Sequence, residues 1–115
     1  MNDLKITQDI IAGKGIAVLH LAGELDAHTF DELDSTLQEL FGQNIFKIVL
    51  DMEKVSYISS AGIGTLVSST LQCSENGGNL VLIKISERSR EVLSMLGLLE
   101  MLQYADDLQP ALARF

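Results

Sequence analysis

Two adjacent hydroxyls, Ser59 and Ser60, lie between an apolar run, Ile48-Val49-Leu50, and a segment that opens Ala61-Gly62-Ile63-Gly64-Thr65. A serine directly before a helix can cap it, because its oxygen accepts from the free amides of the first turn. Those amides and the positive helix end also favour a negative charge. Ser60, immediately before Ala61, therefore reads either as an N-cap or as a hydroxyl that accepts a phosphate. Phosphorylation would add about 1.5 to 2 negative charges and three acceptor oxygens. On the residues alone the two readings stand level.

Catalysis by either serine finds little support. No G-x-S-x-G elbow surrounds Ser60, and no lysine stands three residues on. His20 falls in a strand pattern and His28 in the first turn of a helix, with no third group implied. Both histidines read as structural or surface residues, and with a single cysteine no metal spacing emerges. Cys73 reads as a core or half-buried thiol. The small residues 60–65 lack the lysine of a P-loop and the G-x-G-x-x-G of a dinucleotide turn, so no nucleotide or other cofactor is expected. A receiver-type phosphoacceptor would pair Asp51 with Lys84. It would also need adjacent acids after the first strand, whereas Glu24 and Asp26 are separated by Leu25. Asp51 reads instead as a strand-end turn former.

Those residues need elements to position them. Residues 4–11 and 16–22 read as strands joined at Gly13-Lys14-Gly15, a hairpin. Asp26 is the expected N-cap of a helix whose apolar positions, Phe30, Leu33, Leu37 and Leu40, share one face before Gly42. A strand over 46–50 leads to the paired serines. A helix from Ala61 to Glu75 presents Ile63, Leu66, Val67, Thr70 and Leu71 and stops at Asn76-Gly77-Gly78. Leu80–Ile85 is near-continuously aliphatic, the pattern of a strand covered on both faces. Ser86 caps a third helix with Val92, Met95 and Leu96 inward. A short strand over 99–104 and a last helix capped by Asp106 or Asp107 close the chain. There Pro110 sits in the first turn, and Leu108, Leu112 and Phe115 face inward. The order predicts an α/β fold: a mixed sheet of four to five strands covered by about four helices.

The 115 residues suit one domain spanning 1–115. At 47% hydrophobic and 5% aromatic, the interior is aliphatic. A net charge of -8, with only eight scattered basic residues, opposes nucleic-acid binding. No apolar run approaches the ~20 residues of a membrane helix, and no signal peptide is visible. The lone cysteine suits a reducing compartment, so a cytoplasmic monomer that does not meet a membrane is expected.

Two motifs carry a family resemblance. Gly23-Glu24-Leu25-Asp26, opening an amphipathic helix, looks like the G-x-L-D segment of the STAS domain, the fold of bacterial anti-sigma factor antagonists. Asp51-Met52-x-x-Val55-x-Tyr57-Ile58-Ser59-Ser60-Ala61-Gly62-Ile63-Gly64 resembles that family's D-L-x-x-V-x-x-(I/M)-D-S-(S/A)-G-(L/I)-G signature. The resemblance covers nearly the whole chain and implies partner switching without enzymatic activity. The unphosphorylated protein would bind an anti-sigma factor that is also a serine-protein kinase. Phosphorylation of Ser60 would release it, and a PP2C-type serine phosphatase would restore binding. The implied partner-binding surface comprises Glu24, Asp26, Ser59, Ser60, Ala61, Gly62 and Ile63. Within it Asp26 would be the acid near the acceptor, and Gly62 the glycine that lets the partner approach. Ser59 departs from the family, which often has Asp there, and offers a second acceptor hydroxyl. Some STAS-like chains serve instead as constitutive binding subunits of transporters or larger signalling complexes.

Overall fold

Alternating and continuous apolar runs assemble one five-stranded sheet in the computed structural model, which describes residues 3–115. Along the chain lie β1 (Leu4–Ile11), β2 (Ile16–Leu25), α1 (Phe30–Gly42), β3 (Lys47–Ile58), α2 (Ser60–Glu75) and β4 (Asn79–Ile83). Then come α3 (Glu87–Met95), β5 (Gln103–Ala105) and α4 (Leu108–Leu112). Spatial order follows chain order, β1-β2-β3-β4-β5. The hairpin pair is antiparallel, and every later pair is parallel because a helix carries the chain back each time.

The two faces of the sheet are covered unequally. On the inner face Leu19, Leu21, Leu50 and Leu82 pack beneath Leu33, Leu37 and Leu40 of α1 and Leu66 of α2. Each such leucine contributes about 1.5–3 kcal/mol by leaving water. On the outer face Val18, Val49, Val81 and Ile83 meet Ala111 of the short α4. Both faces of β4 are thus buried, which explains its unbroken aliphatic run. Beyond α4, the outer face carries polar side chains of β1, β2 and β3, among them Thr7, His20 and Asp51.

Several element edges differ from the sequence expectation. β3 does not stop at residue 50 but runs to Ile58. Its register against β2 slips twice, from His20↔Asp51 to Ala22↔Lys54 and from Gly23↔Val55 to Glu24↔Tyr57. Bulges of this kind insert an unpaired residue and break the period of two, which hides a strand from pattern reading. Asp51 is therefore a mid-strand residue, and its Oδ1 accepts from the Glu53 amide at 3.0 Å inside the bulge. α3 turns Ser89 and Leu93 inward, leaving Met95 86% and Leu96 58% exposed and Val92 at the surface. The sequence pattern points to the other phase because a buried serine looks polar and the run Val92-Leu93 offers two registers. β5 begins at Gln103, later than expected, because residues 98–102 form a turn whose Leu102 amide bonds the Leu98 carbonyl.

Candidate functional site

The end of β2 and the start of α2 are held together by backbone. Leu25 and Ile58 pair as the last residues of β2 and β3. The Ser59 amide then donates to the Leu25 carbonyl at 2.9 Å. Ser60 begins α2, so the loop leaving β2 at Asp26 and the helix beginning at Ser60 share one rim.

Ser59, not Ser60, is the N-cap. Its backbone is extended (φ -92°, ψ 176°), its Oγ accepts from the Gly62 amide at 3.4 Å, and its carbonyl takes the Ile63 amide at 2.9 Å. Ser60 is the first helical residue. It is exposed, and its hydroxyl has no partner among the described residues. The amides of the first turn have no intrahelical acceptor, so negative charge is favoured beside it. Ser and Asp are near-equal N-caps. A serine at position 59 thus keeps the cap that an aspartate would supply, while removing a charge next to Ser60.

Gly62 is small for the sake of its own chain. It is buried, and a Cβ there would stand 2.7 Å from both the Leu25 carbonyl oxygen and the Leu25 Cγ. This glycine is therefore required for packing against β2, whatever part it also has in admitting a partner. Gly64 has open space around it, and Ile63, 9% exposed, belongs to the core edge. Ala61 is half-buried beside Ser60.

Asp26 is also more inward than an acidic rim implies. It is 7% exposed, and its Oδ1 accepts from the His28 amide at 2.8 Å. The Asp26 carbonyl takes the amides of Thr29 and Phe30. Thr29 is the N-cap residue of α1 in place of the expected Asp26, and it makes no side-chain cap. Its Oγ1 instead donates to the Glu24 carbonyl at 2.7 Å and accepts from the Asp26 amide at 3.0 Å. This closed turn fixes the loop that borders Ser60. Glu24 is half-buried and registers against Tyr57 of β3. Gly23 has φ +126°, and its Cα side lies against the Asp3 carbonyl, where a side chain would not fit.

Two residues absent from the sequence-based site sit beside it. Tyr57, 51% exposed, and Arg88 border a groove of ≈ 110 Å³ floored by Ile58, Ile63 and Leu93, with Val92 at its edge. Arg88 and Val92 are four apart on α3, which sets them on one face. Reading α3 in the correct phase would have exposed that pair.

The other nucleophiles and bases lie elsewhere or are spent. Burial pushes the Cys73 thiol up to about 12, so it stays protonated. His28 is exposed and only its backbone is engaged by Asp26. His20 is bound between Asp51 and Asp9. Lys84 faces Glu53 and Asp107, each at 3.9 Å, rather than Asp51. Among the described residues no helix is long and apolar enough to cross a membrane.

Comparison with known proteins adds to this geometry. The model of the STAS domain family matches residues 7–111. A Bordetella bronchiseptica protein named as a candidate anti-sigma factor antagonist, BtrV, is 30% identical over 112 residues, 97% of this chain and 95% of its own. An anti-sigma-B factor antagonist of Staphylococcus epidermidis is 28% identical over 82 residues, 71% of this chain and 76% of its own. Among solved structures, the unphosphorylated anti-sigma factor antagonist SpoIIAA superposes with a TM-score of 0.78 at 22% identity, over 96% of this chain and 95% of that one. The phosphorylated form of SpoIIAA, a Bacillus cell fate determinant, gives 0.72 at 22% identity, over 96% and 98%. At that identity the likeness speaks for the fold, a mixed sheet with helical cover.

Proposed function

The chain belongs to the STAS domain family, and from that membership we propose that it acts as an anti-sigma factor antagonist controlled by phosphorylation of Ser60. In its unmodified form it binds an anti-sigma factor that is also a serine kinase. The docking face is the rim formed by the Glu24–Asp26 loop and the first turn of α2, from Ser59 to Ile63. Phosphorylation of Ser60 ends the complex, and a PP2C-type serine phosphatase restores it. The protein is a binding module and contributes no catalytic group of its own.

One observation carries this reading: Ser60 is an exposed hydroxyl, without a partner among the described residues, in the first turn of a sixteen-residue helix. A phosphate there meets unsatisfied amides and the positive helix end, so the fold tolerates it. A partner packed on the same rim does not. Bulk and negative charge at a contact the partner has desolvated cost it roughly 2–5 kcal/mol, which is enough for dissociation. Ser59 is the poorer acceptor, because its Oγ is already spent on the cap.

The names of the relatives support the antagonist role, and the existence of a phosphorylated form of SpoIIAA supports the switch. The test uses the serine kinase recovered from the source cells with this protein as bait. Incubation with that kinase and ATP is expected to add one phosphate by intact-mass spectrometry, and Ser60→Ala is expected to remove it. Undiminished phosphorylation of Ser60→Ala sinks the acceptor assignment. Co-purification with a membrane complex, unchanged by Ser60→Ala, would favour a constitutive subunit instead.

A further inference from the structure

The sheet has two edges, and they are protected unequally. β5 is three residues long, which leaves little backbone to pair. β1 is eight residues long and is paired on one side alone. Its register against β2 runs without a shift from Leu4↔Gly23 to Ile11↔Ile16, so no bulge twists this edge away. Nor does β1 hold a proline. Among the described residues, the one backbone hydrogen bond to β1 outside that ladder is the Lys14 amide on the Ile11 carbonyl, within the hairpin turn. Alternate N–H and C=O groups along β1 therefore face solvent.

An edge open in this way is a template for another strand. Its side chains say which strand fits. Leu4 and Ile6 pack in the core on the inner face, so Gln8 and Ile10 share that face. Lys5, Thr7 and Asp9 lie on the outer face beside His20. Opposed residues of an antiparallel pair share a face, so a second β1 matches only even positions with even and odd with odd. Centred on Thr7, the match opposes Lys5 to Asp9 and Asp9 to Lys5 on the outer face. On the inner face it sets Leu4 against Ile10 and Ile6 against Gln8. Opposed Cβ atoms stand about 4.5–5.5 Å apart, close enough for an ion pair. The groups are available for it. Lys5 has no ion pair among the described residues, Asp9 engages His20 through Oδ2 alone, and Ile10 is 50% exposed. Neighbouring registers fit worse. Centred on Ile6, Asp9 meets Asp3; centred on Gln8, Lys5 meets Ile11. Lysine on an open edge guards against unspecific pairing, and with Asp9 opposite it selects one partner strand. Opposite charges placed symmetrically about Thr7 are what a two-fold contact requires.

In place of the monomer expected from the sequence, we propose that two copies of this chain pair through β1 in antiparallel register about Thr7, joining two five-stranded sheets edge to edge. One strand a side falls short of the roughly 20–30 residues a side of a stable interface, so the dimer is weak and concentration-dependent. Neither α2 nor the Glu24–Asp26 loop takes part, so the contact stands independently of the role assigned to Ser60. Sedimentation equilibrium of the full chain from micromolar to millimolar concentration tests it. The wild type is expected to pass reversibly from monomer to dimer mass. Lys5→Glu sets two acids opposite each other in both symmetry-related pairs and should weaken association about tenfold. Adding Asp9→Lys to that variant restores opposite charges and should recover wild-type association. Lys47→Glu makes the same change of net charge away from β1 and should leave it unaltered. Lys5, Asp9 and Lys47 are exposed, so the variants are expected to fold, which melting curves check. Amide hydrogen exchange of the wild type needs no variant: β1 amides should slow as concentration rises. A mass that stays monomeric to millimolar concentration overturns the pairing. So does a dimer whose β1 amides exchange no more slowly, or one that Lys5→Glu weakens no more than Lys47→Glu.

Discussion

His20 Nδ1 stands 2.8 Å from Asp51 Oδ2, a contact that ties the middle of β2 to the middle of β3 on the outer sheet face. The other ring nitrogen is 3.0 Å from Asp9 of the edge strand β1. Only an imidazolium can donate to both carboxylates, and its pKa is accordingly raised above 6.5, chiefly by the Asp51 hydrogen bond and then against some desolvation.

A pH dependence of stability follows from that raised value. The folded state holds the proton more tightly than the unfolded chain, so the contribution is fully present below pH 6.5 and fades as pH rises through the folded pKa. The imidazole is 40% exposed and Asp9 75%, and Lys5 and Lys54 oppose the positive charge from nearby, so the effect is modest. Urea denaturation from mildly acidic to mildly alkaline pH should show the wild type losing more stability than His20→Gln. Parallel profiles for the two proteins would contradict the paired imidazolium.

Capping at Ser59 gives the second expectation. Ser59→Ala removes the acceptor for the Gly62 amide and should cost about 0.5–1 kcal/mol, the low end for an N-cap given the 3.4 Å contact. Ser59→Asp should retain wild-type stability within a few tenths of a kcal/mol, since Asp and Ser cap about equally. Chemical denaturation measures both. Equal loss in the two variants would remove the cap from position 59.

Gly62 provides the third. The Cβ of Gly62→Ala would press on the Leu25 carbonyl and side chain at 2.7 Å, and the carbonyl cannot rotate away because it already takes the Ser59 amide. Overpacking of this kind costs about 1–3 kcal/mol. By contrast, Gly64→Ala meets open space and should be neutral or stabilising by up to about 1 kcal/mol, since alanine is the better helix former. Melting curves of the pair give the comparison, and a Gly62→Ala protein as stable as Gly64→Ala would contradict the packing role.

Much of this arrangement was legible before any coordinates, for reasons that particular residues make plain. Leu33, Leu37 and Leu40 keep a strict helical period, and Leu80 to Ile83 keep an unbroken aliphatic run, so α1 and β4 declared themselves. β3 declared only its first residues, to Leu50, because its bulges set Glu53 and Lys54 outward together and cancel the alternation by which a strand is recognised. Caps shifted for a related reason: several adjacent small polar residues compete for one N-cap, and only φ and ψ choose among them. Thus Ser59 took the place expected of Ser60, and Thr29 the place expected of Asp26. The inward turn of Asp26 depends on hydrogen bonds to His28 and Thr29 that no spacing rule foretells.

Ser60→Asp separates folding from binding. Position 60 is the first residue of α2, exposed, and without a hydrogen-bond partner among the described residues, so the carboxylate replaces no contact. An acid in the first turn gains about 0.3–1 kcal/mol from the helix end at low salt. The variant should therefore melt at or slightly above the wild-type temperature. Under the proposed switch it should also bind its kinase partner at least about tenfold more weakly, a loss of roughly 1.4 kcal/mol or more. Calorimetry of both proteins against the same partner, alongside their melting curves, distinguishes the cases. Weaker binding with an intact fold places the switch on the surface at residue 60. Unchanged affinity would count against Ser60 as the control point, and a lowered melting temperature would mean that the charge disturbs α2 itself.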